Sequence, residues 1–427
     1  MVVSVVGAQS LEQVTTRYPD GALRERYHVD AALVRQGLAT EYWATGRTLR
    51  RGNFKDGKLH GRVERFYENG ARQVTAYYRD GILHGAYEEF DGAFHLRGRC
   101  EAGALHGRVE VSYGSEAKSQ RVYDHGHLSR VGTSEVYARS VDDLRRDLAA
   151  IEVQMPGTAD NSTKEAERAR GLARLNAYRY LCGLPHDVIL DEVMVRHAEA
   201  AASLCKALGR LDHTPANPGW PRERFDDAYE GTSHSNLAVT SDLAQSIDQY
   251  MNDSDPSNID RVGHRRWCLN PAMQRTGLGR EDRFAAMWSM DSSRKSVPRP
   301  DWVAYPPAGY VPLEYFGPRH AWSLSFGPGV ARKKLAEARV QIFRLEDRFL
   351  RTGPALALDT KHVAGGGFGG SSACLVFRSP AAVVEDGARY EVVIDTDASK
   401  RREVLAHYFV DFVDLTRAAP AANGTRR

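Results

Sequence analysis

Between residues 18 and 135 the apolar positions fall in short aromatic-rich runs, such as Arg65-Phe-Tyr67 and Thr75-Ala-Tyr-Tyr78. They are bounded by Asn69-Gly70 and Asp80-Gly81, dipeptides that supply the positive φ of tight hairpin turns. The pattern repeats. Asp56-Gly-Lys-Leu-His-Gly61 returns as Asp80-Gly-Ile-Leu-His-Gly85 and Ala102-Gly-Ala-Leu-His-Gly107, with a worn copy at His125-Gly-His-Leu128. Gly57, Gly81, Gly103 and Gly126 are 24, 22 and 23 residues apart, and Phe54, Tyr78, Cys100 and Tyr123 stand ahead of them. A period in the twenties marks stacked units that share a core, here two-stranded hairpins in an elongated all-β array. The recurring His60, His84 and His106 could form a metal ladder, but their place at the turns reads more simply as packing or turn capping.

The periodicity changes after residue 136. Asp142 to Ile151 has helical spacing, and Pro156-Gly157 with Asp160-Asn161-Ser162 breaks it, giving a helical linker over 136–162. Ser162-Thr-Lys-Glu165 has the form of a capping box, so a helix starts there, carries Leu172, Leu175, Tyr178 and Leu181, and stops at Gly183. Met194, Ala198, Ala201, Cys205 and Leu208 form one stripe of a second helix ending at Gly209. A third runs from Ser241 to about Asn252, burying Leu243, Ile247, Tyr250 and Met251. Prolines 298, 300, 306, 307 and 312 then open a segment with period-two runs: Val340/Ile342, Leu375/Phe377, Tyr390/Val392/Ile394 and Tyr408/Val410/Phe412. These predict a β-sandwich over 298–416, followed by a loose tail at 417–427.

Composition narrows the function. The 427 residues carry Lys+Arg 58 against Asp+Glu 55, a formal charge of +3 with no polybasic footprint, so nucleic acid is not the expected partner. No apolar run approaches the ~18 residues of a membrane helix, which excludes a helical integral membrane protein. Five scattered cysteines without a CxxC make neither a disulfide framework nor a zinc knuckle. The apolar start, within an N-terminal segment 1–17, lacks the basic lead of a complete signal peptide, and an envelope or extracellular setting is favoured over the cytoplasm. Gly365-Gly-Gly-Phe-Gly-Gly370 satisfies GxGxxG in form, but it leads into a strand rather than a helix and reads as a loop. Ser371 and Ser372 have no nucleophile-elbow context, and Cys268, four residues after His264, reads as a core cysteine.

Two resemblances organise these pieces. The DGxLHG units over residues 18–135 resemble bacterial MORN repeats, which implies a scaffold or contact surface for a protein or envelope partner. Between 163 and 297, Leu175-Asn-Ala-Tyr-Arg179, Leu211-Asp-His-Thr214, Ser235-Asn-Leu-Ala238, Asn258 to Trp267, Asn270-Pro271, Gly277-Leu-Gly279 and Ala285 to Ser289 follow one another in an order that resembles the CAP superfamily of cysteine-rich secretory and pathogenesis-related proteins. That resemblance implies an α-β-α sandwich with two histidines and two acidic residues in a cleft. The expected fold class is therefore multidomain α+β: hairpin repeats, an α-β-α sandwich and a C-terminal β-sandwich.

On this resemblance His213 and His264 match the cleft histidines, Gly277 matches the glycine thirteen residues further on, and Asp253 matches the second acidic position. The first acidic position is replaced, because His234-Ser-Asn236 puts Ser235 where the family has glutamate. Two neutral imidazoles and a carboxylate are a familiar shell for a divalent metal, zinc or calcium, with no organic cofactor implied. His213 and His264 are thus the candidate metal ligands, and with Asp253 as base they are the candidate catalytic set for a peptidase-like hydrolase. The simpler account has the histidines hydrogen-bonding across the cleft and Asp253 fixing one tautomer. Ser235, Asn236, His234 and Arg265 are the candidate ligand-binding residues, with Asn236 holding the cleft loop and Arg265 and Arg266 suited to an anion. A binding protein, a metal-dependent hydrolase and a pure scaffold are the three functional readings.

Overall fold

A computed structural model describes residues 10–116, 118–153, 163–396 and 403–417. The apolar start up to residue 8, the breaker at 156–162 and the tail beyond Arg417 lie outside the described residues. The chain divides into two units between Val136 and Tyr137.

The first unit is a thirteen-stranded antiparallel sheet from Glu12–Arg17 to Ser134–Glu135, in which strands pair in chain order except that the two-residue Ala104–Leu105 pairs only with Phe94–Glu101, which pairs onward with Gly107–Tyr113. Its two-residue turns have both central residues at positive φ: Asp56 (50°) with Gly57 (74°), Asp80 (51°) with Gly81 (85°), Ala102 (50°) with Gly103 (92°) and His125 (45°) with Gly126 (90°). That geometry matches the right-handed twist of the flanking strands, which is why the DG dipeptides recur. The glycine N–H of each turn donates to a carbonyl one unit back: Gly57 to Arg35, Gly81 to Leu59, Gly103 to Leu83 and Gly126 to Leu105, at 2.7–3.0 Å. A unit therefore completes its backbone bonding only through its neighbour. Val63, Ala76, Leu96, Val109, Val111, Tyr123 and Leu128 are buried along the sheet.

The second unit begins with helices α1 (Val141–Val153) and α2 (Lys164–Leu181). Thr163 caps α2 by accepting from the Ala166 N–H at 3.1 Å; Ser162, the cap read from the sequence, lies outside the described residues. Helix α3 (Glu192–Leu208) is capped by Asp191 and closed by Gly209 in the left-handed conformation. Helix α4 (Arg222–His234) runs directly into a strand, Ser235–Val239. Helix α5 (Leu243–Asn252) is capped by Asp242, and the short α6 (Gly263–Cys268) follows. Strands Ser235–Val239, Phe284–Trp288 and Leu278–Glu281 form a three-stranded antiparallel sheet in that order. A two-stranded parallel sheet, Ile189–Leu190 with Arg275–Thr276, and two four-stranded sheets complete the described part of the unit. One runs Trp302–Tyr305, Trp322–Phe326, Ala373–Arg378, Thr360–Ala364; the other runs Gly309–Pro312, Glu403–Val413, Arg389–Thr396, Ala338–Leu345. Trp322 of the first packs against Tyr390 and Phe412 of the second, with ring centroids at 5.8 and 6.4 Å.

The fold class expected from the sequence is corrected here. The chain is mainly β, dominated by the thirteen-stranded sheet, and its helical middle is not a distinct α-β-α sandwich. The central sheet has only three strands of four or five residues. One apolar core runs from Leu144 and Tyr178 of the helices through Met287 to Tyr305, Trp322, Leu375 and Phe412. A smaller cluster joins Val262, at the start of α6, to Ala321, Ala364, Cys374 and Val376. The Ala373–Phe377 strand is thus buried on both faces, so the helical segment takes part of its core from the C-terminal sheet.

Candidate functional site

His213 and His264 line one cavity of about 260 Å³ with Ser233, Ser235, Asn236, Asn258, Arg261, Trp267, Met290 and Phe368. Each imidazole is oriented from behind. The His213 Nδ1 is 3.0 Å from the Thr232 carbonyl oxygen near the end of α4. A carbonyl only accepts, so this nitrogen carries the proton and Nε2 keeps its lone pair. The His264 Nδ1 is 2.8 Å from Asp253 Oδ1, and the same reasoning puts the proton on Nδ1 facing the carboxylate. Neither Nε2 has a hydrogen-bond partner among the described residues. The Tyr250 ring lies 5.7 Å from the His264 ring and fixes its plane.

Asp253 ends α5 in the left-handed conformation, with φ 42°. It is 3% exposed, its Oδ1 is taken by His264, and its Oδ2 accepts the Arg265 N–H at 3.3 Å. It stands behind His264 rather than on the cavity wall, so it serves as a positioning residue. Among the described residues no Asp or Glu lines the cavity. Asn236 is a brace: its Nδ2 donates to the His264 carbonyl at 3.1 Å and approaches Cys268 Sγ at 3.6 Å, and its own carbonyl accepts from Tyr250 OH at 3.0 Å. Ser235, in the place of the expected glutamate, is 3% exposed and its hydroxyl has no partner among the described residues.

Two candidate ligand residues point elsewhere. His234 is not on the cavity wall. Its ring stacks on Trp288 at 4.9 Å, and its Nδ1 is 3.0 Å from the Glu230 carbonyl. Arg265 is fully buried and its guanidinium is used internally, donating to the carbonyls of Met251 (2.7 Å), Asn252 (2.5 Å) and Ala321 (2.8 Å) and to Ser323 Oγ (2.9 Å). Burial lowers its pKa, opposed by the nearby Tyr305 and Asp253. It ties the end of α5 to the C-terminal sheet and offers no donor to a ligand. Arg266 likewise donates to Ser371 Oγ and the Gly365 carbonyl. Cys268 is buried, and desolvation pushes its thiol up to about 12, which disfavours the thiolate.

Sequence reasoning passed over Phe368, which lies in the glycine run and forms one wall of the cavity. The run allows this by close approach. A Cβ on Gly369 would lie 1.9 Å from the Arg266 carbonyl oxygen, and one on Gly263 would lie 2.9 Å from the Phe368 ring. The glycines seat the loop on α6 rather than cradle a phosphate.

Set against models of protein families and against curated proteins, the chain matches none.

Proposed function

We propose that the protein is a binding protein whose cleft takes a divalent cation or a small polar ligand on His213 and His264, while the repeat array engages a protein or envelope-surface partner. One observation carries this reading: both cleft imidazoles are held by hydrogen bonds at Nδ1, which leaves two Nε2 lone pairs at one cavity. Such orientation from behind is how proteins prepare histidine for a metal or a ligand proton. The resemblance of the His213, Asp253 and His264 spacing to the CAP superfamily supports the same cleft. A hydrolase in this cleft would need a base facing its water, and Asp253 has both oxygens engaged away from the cavity. Binding is therefore the reading the geometry supports best.

Metal analysis of protein purified without chelator tests it. Wild type is expected to carry metal that a His213→Ala/His264→Ala double variant lacks, with the circular dichroism of the two unchanged. Equal metal in both proteins, even after zinc or calcium is supplied, would overturn the metal reading. Saturable small-ligand binding that the double variant loses would then retain the cleft.

A further inference from the structure

In three repeats the residue before the second glycine reaches the turn of the next unit. Gln36 Oε1 accepts the Asp56 N–H at 3.0 Å, and Gln36 Nε2 donates to Asp56 Oδ1 at 3.2 Å. His60 Nδ1 lies 3.3 Å from Asp80 Oδ1. The turn after His84 has Ala102 in the first position, and the turn after His106 has His125. His106 Nδ1 faces the His125 N–H at 3.4 Å, much as Gln36 faces Asp56. In the last unit an imidazole thus replaces the turn carboxylate, and a paired acid becomes a second histidine. The two rings lie 4.5 Å apart, tilted by 49°.

A carboxylate is already beside them. Glu101 Oε2 is 3.6 Å from His106 Nε2, and one donor atom from each of Glu101, His106 and His125 lies within 4.8 Å of the other two. Asp124 Oδ1 adds a second acid, 2.7 Å from His125 Nδ1 and 3.6 Å from His106 Nδ1. We infer that Glu101, His106 and His125 form a second, cleft-independent site for a zinc-like divalent transition metal. Two imidazoles and one carboxylate are a ligand set such ions favour, and ligand atoms around a tetrahedral ion stand ~3.3 Å apart at Zn–N bonds of ~2.0–2.1 Å. These side chains are half exposed, so small rotations close the set without repacking a core. The backbone beneath is held in two-residue hairpin turns, which limits the ordering cost of binding. The ion would bridge the turn at Ala102-Gly103 to the turn at His125-Gly126, linking two successive repeats.

Zinc titration of the full chain against a chromophoric competitor tests this, comparing wild type with His125→Asn, Glu101→Gln and His213→Ala/His264→Ala. Asparagine accepts the left-handed turn conformation and removes the ligand. The expected result is that His125→Asn loses about one zinc equivalent that the cleft double variant retains, and that zinc raises the melting midpoint of wild type but not of His125→Asn beyond any shift the cleft contributes. Glu101→Gln, on an exposed strand end, is expected to weaken the same equivalent about tenfold or more and guards against misfolding of the turn variant. Undiminished zinc binding in both repeat variants would overturn the site. Loss in the cleft double variant alone would overturn it while leaving the cleft reading standing.

Discussion

Replacing Arg265 with alanine is expected to destabilise the second unit by about 3–5 kcal/mol, the range for breaking a buried charged network. The guanidinium has no measurable exposure and spends its donors on the carbonyls of Met251, Asn252 and Ala321 and the hydroxyl of Ser323. Truncation takes their donor from the buried Met251 and Ala321 carbonyls, leaves the Asn252 carbonyl only the Ser254 hydroxyl, removes a positive charge from beside Asp253 and removes the stack on Tyr305, now 4.6 Å from the guanidinium carbon. Lysine at this position keeps the charge but not the fork, so Arg265→Lys is expected to recover only part of the loss. Urea unfolding followed by tryptophan fluorescence measures it. A wild-type midpoint for Arg265→Ala would show that the carbonyls find other partners. A folded variant with a selective loss of anion binding would instead return Arg265 to the list of ligand residues.

That experiment also marks where the sequence stopped being legible. Arg265 and Asp253 are polar residues of ordinary spacing, and nothing local tells a buried clamp from an exposed ligand. The repeats were readable because their information is local: two residues set each hairpin turn, and the next unit repeats them. Helices α2, α3 and α5 were readable for the same reason, each having an apolar stripe of helical period and a capping side chain. Helix α4 was not. Its buried residues are only Ala228, Gly231 and Thr232, so it carries no stripe and packs on α3 through small residues. With α4 unseen, the carbonyl that orients His213 was unseen too. The α-β-α expectation failed on longer range grounds. Strand Ala373–Phe377 alternates weakly because both its faces are buried, and no local pattern says that one face belongs to the helices.

Gly277→Ala is expected to cost at least about 3 kcal/mol, at the upper end for overpacking. The backbone at this glycine is not left-handed, so space alone decides. An added Cβ would sit 2.1 Å from the Met194 carbonyl carbon, 2.2 Å from its oxygen and 2.4 Å from the Val195 nitrogen, all atoms of α3. Gly279, one turn further along the contact, is just as tight, with Glu199 N at 2.3 Å and Ala198 C at 2.4 Å. No flexible side-chain end can yield, so the helix must lift off the strand. That opens the cluster of Ala198, Ala201, Cys205, Leu237, Phe284 and Ala286. The displacement reaches the cleft, because Gly231 of α4 sits so close to α3 that its own Cβ would meet the His197 carbonyl oxygen at 2.0 Å, and Thr232 beside it holds His213. Gly277→Ala is therefore expected to lower the urea midpoint and to weaken cleft binding together. Gly353→Ala, whose Cβ meets nothing within 4 Å, serves as the control and should stay within about 0.5 kcal/mol of wild type. Equal stability of the two variants would show that α3 can move off the sheet at little cost, and the close helix–strand seam would then not be what holds His213 in place.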